Sequence, residues 1–176
     1  LAPRSCAVRT RRSGCPAVVP ALLRQMEGTG RNAKVAFEAF STLTGLDTMD
    51  LSFARNEGPD ADEHEAEFDS AEQDAAHESA DDLLAPDAEA VACWWSERAA
   101  AFSPGARWLG GRPFELSTAR EFLLSAPLRR RHLIADLVRI HARGQLALDT
   151  CARPAWQHAQ LASWGSIRLD NPYAGR

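Results

Sequence analysis

His132, His141 and His158 are the side chains best suited to move a proton near neutral pH, and Asp136, Asp149 and Ser166 could supply a carboxylate and a hydroxyl for hydrolysis. Their spacing does not assemble them into a site. The sequence has no nucleophile elbow, no phosphate-cradling glycine loop and no histidine pair around a glutamate. Gly110 and Gly111 signal a turn and are too short for a nucleotide fingerprint. Cysteines at 6, 15, 93 and 151 lack the two-residue spacing of zinc knuckles and redox pairs, so reduced thiols and a cytoplasmic setting are expected. Asp60, Asp62 and His64 begin like a calcium loop but lack its turn glycine, and His64 and His77 read as solvated. No catalytic residue, cofactor or metal is expected from these patterns.

Binding chemistry is better represented. Five tryptophans stand at 94, 95, 108, 156 and 164. Trp94, Trp108 and Trp156 read as core, because large aromatic rings bury much apolar area at modest entropy cost. Trp95 follows Trp94 on a predicted helix and must point elsewhere, which makes it a candidate docking residue. Arg129, Arg130 and Arg131 form the densest basic cluster and are the other candidate protein-binding residues. Three consecutive helical positions diverge, and no recognition motif or stacking platform accompanies them. A solvated face or internal ion pairs are therefore expected over a nucleic-acid site.

The net charge of −4 conceals a division. Residues 57–89 hold fourteen acids and no Lys or Arg, leaving ten acids against twenty basic residues elsewhere. With few large apolar residues, that stretch cannot offset the entropy of ordering, so residues 47–86 read as an acidic flexible linker open to proteolysis. At 45% hydrophobic and 25% charged over 176 residues, the chain suits one or two small domains. No apolar run approaches the ~20 residues of a membrane helix, so no membrane insertion is expected.

The elements that would carry these residues are helical. In residues 15–46, Pro16 suits a helix start, and Val18, Val19, Leu22, Leu23 and Met26 form an apolar stripe. Gly28 and Gly30 break the helix. A second helix follows, with Ala33, Ala36, Phe37, Phe40 and Leu43 on one face and Gly45 as its stop. Pro20 is expected to bend the first helix.

Pro16-Ala17-Val18-Val19-Pro20 with Leu22, Leu23 and Met26, Ala36-Phe37-Glu38-Ala39-Phe40-Ser41, and Thr44-Gly45-Leu46 resemble the last repeat of an uncharacterised proteobacterial family of HEAT-like proteins, often encoded near type VI secretion genes. The resemblance continues through Val91-Ala92-Cys93-Trp94-Trp95, Gly105-Ala106-Arg107-Trp108-Leu109-Gly110-Gly111-Arg112-Pro113 and Arg153-Pro154-Ala155-Trp156-Gln157. It implies a terminal repeat followed by a C-terminal block, and no activity. Because about three repeats are needed for independent stability, the chain is expected to be a C-terminal piece with a weakly stable hairpin.

In the C-terminal block, Asp87 is the expected cap of a helix carrying Val91, Trp94, Trp95, Arg98 and Phe102, ended by Pro104-Gly105. Thr118 and Glu121 suggest a capping box for a helix ending before Pro127. The longest helix is expected from Leu128 to Gly144, with Leu133, Leu137 and Ile140 as a stripe sharing a core with Trp94, and Ile134, Val138 and His141 beside it. A last helix opens at Pro154.

The expected fold is all-α: a basic remnant at 1–14, a HEAT-like hairpin at 15–46, an acidic linker at 47–86, a helical block at 87–165 and a tail at 166–176. The expected function is a non-enzymatic scaffold or adaptor for an unidentified protein partner, accessory to type VI secretion. A nucleic-acid-associated protein with an autoinhibitory acidic linker is the alternative, and a cofactorless hydrolase the third.

Overall fold

A computed structural model describes residues 15–55, 83–165 and 169. The basic remnant, most of the acidic stretch and nearly all of the tail lie outside the described residues. Among those described, six α-helices and one two-stranded ribbon occur, so the fold is mainly helical.

The chain enters through a 3-10 turn, Pro16–Val18, and continues into α1 (Val19–Met26). Pro20 therefore falls in the first turn of α1, where its missing amide has no intrahelical partner, and the expected mid-helix bend is not formed. Gly30, at φ 71°, opens α2 (Arg31–Thr44), and Gly45, at φ 80°, ends it with its amide on the Ser41 carbonyl at 2.7 Å.

One apolar face was expected on α2, but every residue from Ala36 to Thr44 is buried. The helix is central. Its polar positions tolerate burial because their hydroxyls bond locally: Thr42 donates to the Glu38 carbonyl at 2.8 Å, Thr44 to Phe40 at 2.9 Å and Ser41 to Leu46 at 2.6 Å.

After α2, Asp50 caps a 3-10 turn at Leu51–Phe53 by accepting the Ser52 amide. Arg55 donates to the carbonyls of Gly28 and Met26, capping the C-terminal end of α1. Ala54 and Pro86 form an antiparallel bridge, with Arg55 donating to Ala85 and Asp87 to Phe53, both at 2.8 Å. Residues 47–55 and 83–86, expected to be linker, are thus built into the body, and the flanks of the acidic stretch lie side by side. Local caps and this bridge satisfy backbone groups that a free linker would leave to water.

Asp87 caps α3 (Ala88–Arg98), accepting the amides of Glu89 and Ala90. A 3-10 turn at Ala99–Ala101 leads to Phe102. Val91 and Phe102 join Val19, Leu22, Met26, Phe37, Phe40 and Leu43 in a first core, with Trp94, Trp95 and Trp108 packed against it. The face that the hairpin was expected to leave open is covered by α3.

Trp108–Leu109 (β1) pairs antiparallel with Arg112–Pro113 (β2) around Gly110 and Gly111, whose φ values of 58° and 73° suit a type I′ turn. Phe114 still bonds across to the Arg107 carbonyl, and α4 (Leu116–Ser125) opens directly after it. No side chain caps α4, so the expected capping box is not formed. Thr118 is buried within the first turn, and Glu121 pairs with Arg112 at 2.5 Å.

α5 (Leu128–His141) and α6 (Pro154–Ser163) complete a second core. It joins Leu109, Ala119, Leu123, Ile134, Val138, Leu161 and Trp164. The Ile134–Val138–His141 side of α5 faces inward, while Ile140 is 58% exposed, so the expected Leu133–Leu137–Ile140 core stripe survives chiefly at Leu137. Trp94 does not join that stripe; it packs with the first core, against Phe40. Adjacent strand residues point to opposite faces, and β1 accordingly sends Trp108 to the first core and Leu109 to the second.

Candidate functional site

Trp95 stands on the second turn of α3, with its ring centroid 5.9 Å from Phe40 and 5.0 Å from Phe102. Trp94 also meets Phe40 edge-on at 5.9 Å, under the Arg98 guanidinium, which lies 4.7 Å from its ring centroid. Both indoles are half-buried, so Trp95 borders the first core instead of projecting as an isolated docking ring. The aromatic row continues from Phe102 to Trp108, at 4.7 Å.

The arginine cluster divides. Arg130 spans α5 and α2: its Nε pairs with Glu38 Oε1 at 3.4 Å, and its Nη2 donates to Thr48 Oγ1 at 3.4 Å. The two charged side chains are 15% and 4% exposed. Arg131 Nε donates to the Ala126 carbonyl at 2.7 Å, fastening the turn between α4 and α5. Arg130 and Arg131 therefore hold the fold together. The side chain of Arg129 lies outside the described residues.

The histidines part as well. His132 Nδ1 meets Thr150 Oγ1 at 2.5 Å, which ties α5 to the loop preceding α6. Gln157, buried on α6, donates to the carbonyls of Thr150 and Ala152 at 3.0 and 2.7 Å, and Asp149 accepts the Cys151 amide. His141 packs on Phe114, with ring centroids 5.4 Å apart, and His158 is exposed. Thr150 is buried, and its neighbours fix a loop. Ser166 lies outside the described residues. Among the described residues, no group of three His, Cys, Asp or Glu side chains is placed to hold a metal ion.

Trp156, expected in a core, is 68% exposed. The buried positions of α6 are Gln157 and Leu161, four residues apart on one face. Trp156 precedes Gln157 by one residue and Leu161 by five, so helical geometry turns it outward. That five-residue spacing is legible in the sequence and is the signal that would have found it. Arg153 and His158 are exposed on the same helical segment.

Among the described residues, no helix is long and apolar enough to cross a membrane. Comparison with known protein families, curated proteins and solved structures finds no match to this chain.

Proposed function

We propose that the chain is a non-enzymatic helical adaptor that binds a protein partner through α6, with Trp156 as the anchoring side chain. The observation that carries this reading is the exposure of that indole on a helix whose opposite face is fixed by Leu161 and Gln157. A large aromatic ring on a rigid element gives contact area at small entropic cost, which is why tryptophan is enriched among residues that dominate interfaces. The HEAT-like resemblance supplies the class of module, and with it a place beside type VI secretion machinery. Trp95, the docking candidate read from the sequence, is half-buried against Phe40 and Phe102. Arg130 and Arg131, with their internal bonds, support neither docking nor phosphate binding, and the nucleic-acid alternative gains nothing from them.

The test is a comparison of the wild-type chain with Trp156→Ser in affinity purification from the source cells under stringent washing. The variant is expected to keep its far-UV circular dichroism and melting midpoint and to lose the co-purifying protein. Equal retention by the two chains would remove Trp156 from the interface. Salt-sensitive binding of DNA or RNA by both would favour the nucleic-acid alternative.

A further inference from the structure

Among the described residues, the most exposed large apolar side chains are Leu51, at 74%, and Met49, at 69%. Both lie in the short run between α2 and the Ala54–Pro86 bridge. That run is held at several points: Leu46 and Thr48 are buried, Thr48 is bonded to Arg130, and Phe53 packs on the first core. Asp47 accepts the Met49 amide and Asp50 the Ser52 amide, both at 2.9 Å. Two successive Asx turns thus fix the backbone with Met49 and Leu51 out and their neighbours in. Apolar side chains set in water on a backbone already fixed lose little chain entropy when a partner covers them.

Charge identifies the partner. Residues 46–54 hold two acids, Asp47 and Asp50, both exposed, and no Lys or Arg. Arg55 is turned onto the Gly28 and Met26 carbonyls, and Arg130, which reaches Thr48, is paired with Glu38. Both ends of residues 56–82 attach at the bridge, where Arg55 donates to Ala85 at 2.8 Å, and that stretch holds twelve acids and no Lys or Arg. Apolar side chains set among charges of one sign suit a partner of the opposite sign. We propose that Met49 and Leu51, flanked by Asp47 and Asp50, form a second docking surface, on a different element from Trp156, for an arginine- or lysine-rich protein segment that carries apolar anchors. The carboxylates steer the segment in and the two apolar side chains hold it. This surface stands independently of the reading of α6.

Fluorescence anisotropy on the whole chain tests the surface, with a labelled peptide of about twelve residues in which arginine alternates with leucine. The peptide is expected to bind, and versions with serine for leucine or glutamate for arginine to bind on the order of tenfold more weakly. Met49→Ser with Leu51→Ser should weaken binding on the order of tenfold or more, whereas Leu124→Ser, which removes another exposed apolar side chain, should leave it unchanged. Asp47→Asn with Asp50→Asn keeps an oxygen for each turn amide, and should weaken binding about threefold and lessen its dependence on salt. Absence of binding, or equal binding of the serine peptide, would overturn the proposal whatever the variants do. Equal binding by the chain lacking Met49 and Leu51 would do the same, leaving general charge attraction as the cause. A dimer in sedimentation velocity that this double variant abolishes would overturn it too, by giving the face to a second copy of the chain.

Discussion

Thr44 and Gly111 are in direct backbone contact: a Cβ on Gly111 would lie 2.5 Å from the Thr44 carbonyl oxygen, at a φ of 73° that side chains rarely adopt. The contact is reciprocal with Gly45, where a Cβ would lie 2.7 Å from the Gly110 carbonyl oxygen. The C-terminal end of α2 and the ribbon turn can interlock only because Gly45 and Gly111 leave the space open. The turn amides then satisfy carbonyls that the end of a helix leaves without partners.

Gly111→Ala should therefore lower stability by about 2 kcal/mol or more, combining left-handed strain with the backbone clash. Gly105, at φ 77° with nothing within 4 Å of its added Cβ, is the matched control. Gly105→Ala should cost about 1 kcal/mol, from conformation alone. Urea titrations of both variants measure the difference, and equal losses would deny any energetic role to the close approach.

Phe40 is fully buried and touches both Trp94 and Trp95, whereas Trp156 touches solvent. Phe40→Ala should cost about 3–5 kcal/mol, as expected for a large aromatic removed from a packed core. Trp156→Ala should change stability by no more than about 0.5 kcal/mol. Intrinsic fluorescence should agree, with Trp156 supplying the component most accessible to an aqueous quencher.

Arg130→Met removes the arginine bonded to a Glu38 side chain only 4% exposed. A loss of about 2 kcal/mol is expected, from the lost charge-assisted bond to Glu38 and the bond to Thr48. The double variant Arg130→Met with Glu38→Leu should recover much of that loss. A double-mutant cycle from thermal unfolding decides it, and strict additivity would mean that the pair is not coupled.

The Ser52 amide, helped by the Ser52 hydroxyl, holds the Asp50 carboxyl below its ordinary value of 3.8. A depressed folded-state value adds stability that is present above 3.8 and is lost as pH falls through the lower folded-state value. In a side-chain NMR titration, Ser52→Ala should move the Asp50 midpoint up by losing the hydroxyl contribution, and Ser52→Pro further by losing the amide. Unmoved midpoints in both would locate the cause elsewhere.

Local chemistry was readable from the chain itself. Gly45 as a helix stop, Asp87 as an N-cap, the Gly110-Gly111 turn and the Pro154 helix start all follow from backbone rules acting over a few residues. The helical class follows from periodicity on the same scale. What tertiary structure decided was which of several apolar faces meets a neighbour. α2 was legible as one-faced, but its polar side is buried because Thr42 and Thr44 bond their own helix and Arg130, 92 residues away, reaches Glu38. α5 offers two adjacent stripes, and only packing on α4 selects Ile134 and Val138 and leaves Ile140 in solvent. The candidate docking residue moved for the same reason. Phe40 and Phe102 hold Trp95 at the edge of a core, while the anchoring of α6 through Gln157 and Leu161 turns Trp156 outward. Short-range bonding preferences are written in adjacent residues, whereas the choice between competing faces depends on partners distant in sequence, and burial energy is settled only when they meet.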